Sequence, residues 1–141
     1  MNIRSILPQS GYMVFLDEIK EIKQGEIKCA MKVKENSPFT QNKELGSFAY
    51  IEIMAQSIAA YAGSNDKIEL GFLLSCRKMD IFRPFVNVGD ELIIKATESL
   101  SDGAGMFVFD CEILLSNECV AKASLSVLNP SKEFLDKAIN E

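Results

Sequence analysis

Glu52 and Gln56 stand four positions apart, one above the other if the chain there is helical, in a stretch that is otherwise apolar or small. That stretch, Ser47 to Gly63, reads Ser-Phe-Ala-Tyr-Ile-Glu-Ile-Met-Ala-Gln-Ser-Ile-Ala-Ala-Tyr-Ala-Gly. A carboxylate among such neighbours is costly unless it is paired, hydrogen-bonded or set beside a cavity. The pattern therefore offers a carboxyl group that can take or give a proton, with an amide placed to orient it. Gly46 to Tyr50 would form the start of that helix, where unpaired N–H groups and the positive end of the dipole suit a developing negative charge.

The rest of the composition narrows the chemistry. The 141 residues contain no histidine, which removes Ser-His-Asp and Cys-His triads, the usual zinc sites and the commonest base at neutral pH. No metal or cofactor is expected. The four cysteines, Cys29, Cys76, Cys111 and Cys119, form no Cys-x-x-Cys pair and fall in strand-like segments, so they are expected as reduced apolar fillers. A net charge of −5 without a basic cluster argues against nucleic acid and against anionic membrane surfaces. No run approaches the roughly 20 apolar residues of a membrane span. At the amino end Pro8 arrives before any apolar run develops, so no export signal is expected and the cytoplasm is the expected compartment.

These groups need elements to position them. The spacing predicts a helix over 47–63, capped by the Ser47 hydroxyl and closed at Gly63. Period-two alternation predicts a hairpin of 14–23 and 26–34 around Gln24-Gly25, with Ile27, Cys29, Met31 and Val33 on one face. Residues 36–46 read as a loop. Strands are predicted over 70–82, 91–100, 106–115 and 119–128, and short links at 101–105 and 116–117 suit antiparallel neighbours. A short amphipathic helix is predicted over 131–140. Two strands, one helix apolar nearly all round and four more strands make an α+β protein. A curled antiparallel sheet is what would cover such a helix, in a single domain of residues 1–141.

Three segments carry a family resemblance. Leu7-Pro8-Gln9 followed by an apolar run to Asp17, Glu52-Ile-Met-Ala-Gln56, and Phe82-Arg-Pro-Phe-Val-Asn-Val-Gly-Asp-Glu-Leu92 are the segments concerned. They resemble the hot-dog fold and, within it, the 3-hydroxyacyl-[acyl carrier protein] dehydratases of fatty acid biosynthesis. Gly71 to Arg77 looks closest to a dehydratase-like branch associated with aryl polyene synthesis. The resemblance implies Glu52 as catalytic, with Gln56 and Gln9 beside it, and Phe39, Lys43, Gly46 and Ser47 at the substrate. Three positions depart from the pattern: Gln9 stands where the family has a histidine, the loop histidine's place falls near Lys43, and the glycine before the family's helix has its nearest counterpart in Gly46, one place out of register. The resemblance also implies an acyl carrier protein or coenzyme A thioester as partner. It further implies a homodimer or higher oligomer whose sheets join edge to edge. Three functions compete on these residues. They are a dehydratase with an altered acid/base set, a thioesterase using Glu52 and water, and a non-catalytic subunit paired with a histidine-bearing homologue.

Overall fold

The computed structural model describes residues 15–37, 39–65, 73–101, 103 and 105–128. Among the described residues there are nine strands: β1 (Glu18–Lys23), β2 (Glu26–Lys32), β3 (Thr40–Gln41), β4 (Glu44–Gly46), β5 (Leu73–Ile81), β6 (Phe85–Asn87), β7 (Glu91–Ser101), β8 (Met106–Leu115) and β9 (Glu118–Leu128). Between β4 and β5 a 3-10 turn, Ser47–Ala49, leads into the helix α1 (Tyr50–Asn65). Six strands form one antiparallel sheet in the order β1-β2-β7-β8-β9-β5, and β3, β4 and β6 form a small second sheet.

The period-two pattern decides which face of the large sheet is buried. Ile27, Cys29 and Met31 of β2, Leu92, Ile94 and Ala96 of β7, Phe109, Cys111 and Ile113 of β8, and Ala121, Leu125 and Val127 of β9 all point to one side. They meet Ile53, Met54, Ile58 and Tyr61 of α1 in a single core, with the Tyr61 and Phe109 rings edge to face at 5.8 Å. The opposite face is charged. One register row runs Glu21, Lys28, Lys95, Glu112, Lys122, Asp80 across all six strands, so most cross-strand neighbours in it carry opposite charge. This is the curled sheet around one helix that the hot-dog resemblance implies.

Several boundaries differ from the sequence reading for local reasons. Ser47 does not cap the helix: Gly46 occupies the cap with extended backbone and no side-chain bond. The Ser47 N–H instead donates to the Pro84 carbonyl at 2.9 Å. Gly63 does not end α1, which continues to Asn65. The loop expected over 36–46 contains β3 and β4, joined by a tight turn with positive φ at Asn42 and Lys43. Strands of two and three residues are too short to leave a periodic signal. Gln9, the segment 1–13 and the helix predicted over 131–140 lie outside the described residues. Among the described residues no helix is long and apolar enough to cross a membrane.

Candidate active site

Glu52 lies in the first turn of α1 and is half-buried, while Gln56, one turn on, is fully buried. The Gln56 Nε2 donates to Glu52 Oε1 at 3.4 Å, and Gln56 Oε1 accepts the Phe15 N–H at 2.8 Å. Backbone from outside the helix thus fixes the orientation of the amide beside the carboxyl group. Phe15 is held in turn through Asp17, two residues on. The Asp17 N–H donates to the Ala30 carbonyl at 2.8 Å, and Asp17 Oδ2 accepts the Lys32 N–H at 2.7 Å. Asp17 Oδ1 also pairs with Lys34.

The helix start supplies donors. A helix leaves its first N–H groups without partners inside the helix. Of these, Ser47's is taken by Pro84, and the Tyr50 N–H donates to the Ser47 carbonyl. The Phe48 N–H is therefore the one placed to receive an oxygen that gains negative charge, since the i→i+3 pattern of the 3-10 turn gives the Ala49 N–H to the Gly46 carbonyl. Phe48 and Glu52 are four apart and share a face of this segment. Gly46 makes room here, since a Cβ on it would sit 2.9 Å from the Phe48 ring. That ring is exposed and begins an aromatic row, with Phe48–Phe39 centroids at 5.9 Å and Phe39–Phe15 at 5.4 Å. The buried Tyr50 hydroxyl donates to the Arg83 carbonyl at 2.9 Å, fastening the helix start to the loop before β6. Burial pushes the Tyr50 phenol up to about 12, against a smaller opposing pull from Arg83.

The structure thus brings Glu52 and Gln56 into contact, sets Gly46 and Ser47 at the helix start before them, and joins Phe39 to the same corner through its ring neighbours. Lys43 stands at the exposed tip of the β3–β4 turn, where its carbonyl accepts the Val88 N–H at 2.9 Å. Phe15 and Pro84 take part through backbone atoms, which no residue type announces, and Asp17, though it closes the first motif, carries nothing in its type that marks the tether. Among the described residues no three acidic or cysteine side chains converge as a metal site requires. What the corner holds is a half-buried carboxyl group, its amide neighbour and a helix-start N–H donor.

No functionally curated protein matches the chain. Solved structures do. It is similar to the dehydratase heterocomplex ApeI:P from Xenorhabdus doucetiae (TM-score 0.86, 24% identity, covering 100% of this chain and 99% of that one). It is similar also to an HP0420 homologue from Helicobacter felis (TM-score 0.71, 12% identity, 94% and 93% covered). A third is the phenylacetic acid degradation protein PaaI from Thermus thermophilus (TM-score 0.62, 18% identity, 79% and 91% covered). These likenesses show the fold. The family model described as ApeP-like, ApeP dehydratase, matches residues 1–139. With its Glu52–Gln56 pair and curled sheet in place over that span, the chain belongs to the ApeP-like dehydratase family.

Proposed function

We propose that the chain, as a single domain, acts on 3-hydroxyacyl thioesters in a two-component dehydratase, contributing Glu52 and the helix-start N–H while a histidine-bearing partner contributes the second proton carrier. Elimination removes a proton from C2, breaks the C3–O bond and releases the hydroxyl as water once it has gained a proton. Two proton transfers are needed, and charge develops on the thioester oxygen. Glu52 performs one transfer, Gln56 orients it, and the Phe48 N–H at the helix start holds the thioester oxygen. The observation that carries this reading is the Gln56 amide, buried and aimed at Glu52 by the Phe15 N–H.

A chain without histidine cannot gain an imidazole from a second copy of itself. Support for an unlike partner is the similarity to a structure whose name describes a dehydratase heterocomplex. The thioester carrier in this reading is acyl carrier protein or coenzyme A, and the compartment is the cytoplasm, which suits four free cysteines.

The test is to co-purify the chain with a histidine-bearing homologous dehydratase and supply 3-hydroxyacyl and acyl thioesters. Enoyl formation and thiol release are followed separately. Enoyl product is expected from the complex, with Glu52→Gln lowering its rate by about 10²–10⁴-fold. Thiol release without enoyl product would replace the reading with hydrolysis, and full activity in Glu52→Gln would remove Glu52 from the chemistry.

A further inference from the structure

We propose that Asp17 is a positioning residue for the Glu52 carboxyl group, acting through the Phe15 N–H and the Gln56 side chain; the inference rests on the reading of Glu52 as the reacting acid. A glutamine amide has two nearly isosteric orientations. In one, Oε1 faces the Phe15 N–H and the NH₂ faces Glu52, so both contacts are donor to acceptor. In the other, N–H meets N–H and oxygen meets carboxylate, and both contacts fail, the buried one to Phe15 at the greater cost. The Phe15 N–H is thus the lock that selects the first orientation.

That lock is only as firm as the backbone carrying it. Phe15 and Leu16 precede β1 outside the sheet ladder, and their side chains are buried. Asp17 ties this segment to β2 and the residues just past it at three points: its N–H on Ala30, Oδ2 on the Lys32 N–H, and Oδ1 on the Lys34 ammonium. Losing the carboxylate frees two of the three. The Phe15 amide then drifts within the slack its buried ring allows, and the Gln56 amide loses its fixed direction. Asp17 itself is a third exposed and turns its carboxylate oxygens to the Lys32 N–H and the Lys34 ammonium, so its effect on Glu52 is relayed.

The experiment follows the two Gln56 side-chain amide protons by NMR in ¹⁵N-labelled protein, assigned by their loss in Gln56→Met. In Asp17→Ala their solvent exchange is expected to accelerate about ten-fold. The Gly25 N–H, bonded to Tyr61 at the far end of the helix, serves as the reference and stays unchanged. Asp17→Asn keeps an oxygen for the Lys32 N–H and remains within about two-fold of the parent. Where turnover is present, Asp17→Ala lowers kcat and leaves KM in place. Unaltered Gln56 signals in Asp17→Ala overturn the proposal, as does equal acceleration at Gly25, which would mark general loosening. If Asp17→Ala does not fold, Lys34→Met carries the test, with about two-fold acceleration expected and none overturning it. The NMR readouts need no catalysis, so loss of the Glu52 reading through a fully active Glu52→Gln would be seen separately.

Discussion

At the scale of single residues, the site depends on polar atoms withdrawn from water and matched donor to acceptor. Gln56→Met keeps the volume but orphans the buried Phe15 N–H, and such a group costs about 1–3 kcal/mol. Urea denaturation is expected to show that loss, and an unchanged midpoint would mean the bond contributes nothing. Burial governs the thiols and the phenol in the same way. It pushes Cys29 up to about 11 and Cys111 up to about 12; Ser57 opposes it at Cys29, and the charges of Asp110 and Cys76 add to it at Cys111. With Tyr50 at about 12, all three groups release protons more readily from the unfolded chain than from the fold. Their contribution to stability is therefore full below about pH 9, where the unfolded thiols begin to ionise, and is lost as pH rises through about 11 and 12. Stability measured at pH 8, 9 and 10 should fall, and Tyr50→Phe should flatten the fall above pH 10. A maleimide at pH 8 is expected to label exposed Cys76 in the native protein while Cys29 and Cys111 wait for unfolding.

At the scale of elements, what was legible in the sequence was whatever repeats. The alternation in Ile27, Cys29, Met31 and Val33, and in Phe107 through Leu115, places these side chains where the fold has them. The run from Ser47 to Gly63 is helical apart from its first turn. The helix ends were not legible, because Ser47 can serve as a cap or give its N–H to a neighbouring loop, and only Pro84, in a distant segment, decides. The small sheet was hidden for the same reason: β4 has three residues and depends on β6 for its pairing. Glu52 and Gln56 were legible at the site because they are polar side chains in apolar surroundings, whereas the Phe15 N–H and Pro84 carbonyl are backbone and carry no label. A contact of this concealed kind closes the other end of α1. The Tyr61 hydroxyl accepts the Gly25 N–H at 2.8 Å, and the Gly25 carbonyl accepts the Glu98 N–H at 2.7 Å, so one turn residue ties the helix to β7. Gly25 also sits at φ +83, which a side chain resists. Gly25→Ala is expected to cost about 1–2 kcal/mol from backbone alone, and Tyr61→Phe about 1 kcal/mol. If strain in Gly25→Ala has already displaced the turn, the double variant loses less than the sum, which a double-mutant cycle in denaturant would reveal.

At the scale of the whole molecule, the two edges of the large sheet are built differently. The β1 edge carries Glu18, Lys20, Glu21 and Lys23, with ion pairs Lys20–Glu18 at 3.0 Å and Lys28–Glu21 at 3.8 Å. Such a charged edge discourages pairing with another strand. The β5 edge has no strand beyond it among the described residues, and past an irregularity between Cys76 and Lys78 it turns Met79 and Ile81 toward the core side. Ile81, Phe82 and Phe85 are exposed there, and Phe85 is paired in register with Gly46 at the helix start. On α1, Glu52, Ala55 and Ala59 make a stripe that this chain leaves only half-covered. A partner joined along β5 would cover the exposed side chains beside the helix start, where the proposed chemistry lacks its second proton carrier. Ile81→Lys should therefore abolish association with the homologous partner, and with it enoyl formation. The fold itself should lose little, because a side chain already 48% exposed gives up little burial. Sedimentation velocity would show the chain moving as a 15.7 kDa monomer with its native circular dichroism intact. Glu18→Lys on the opposite edge serves as the control and leaves assembly unchanged. An Ile81→Lys protein that still assembles and still forms enoyl product would place the interface elsewhere on the chain.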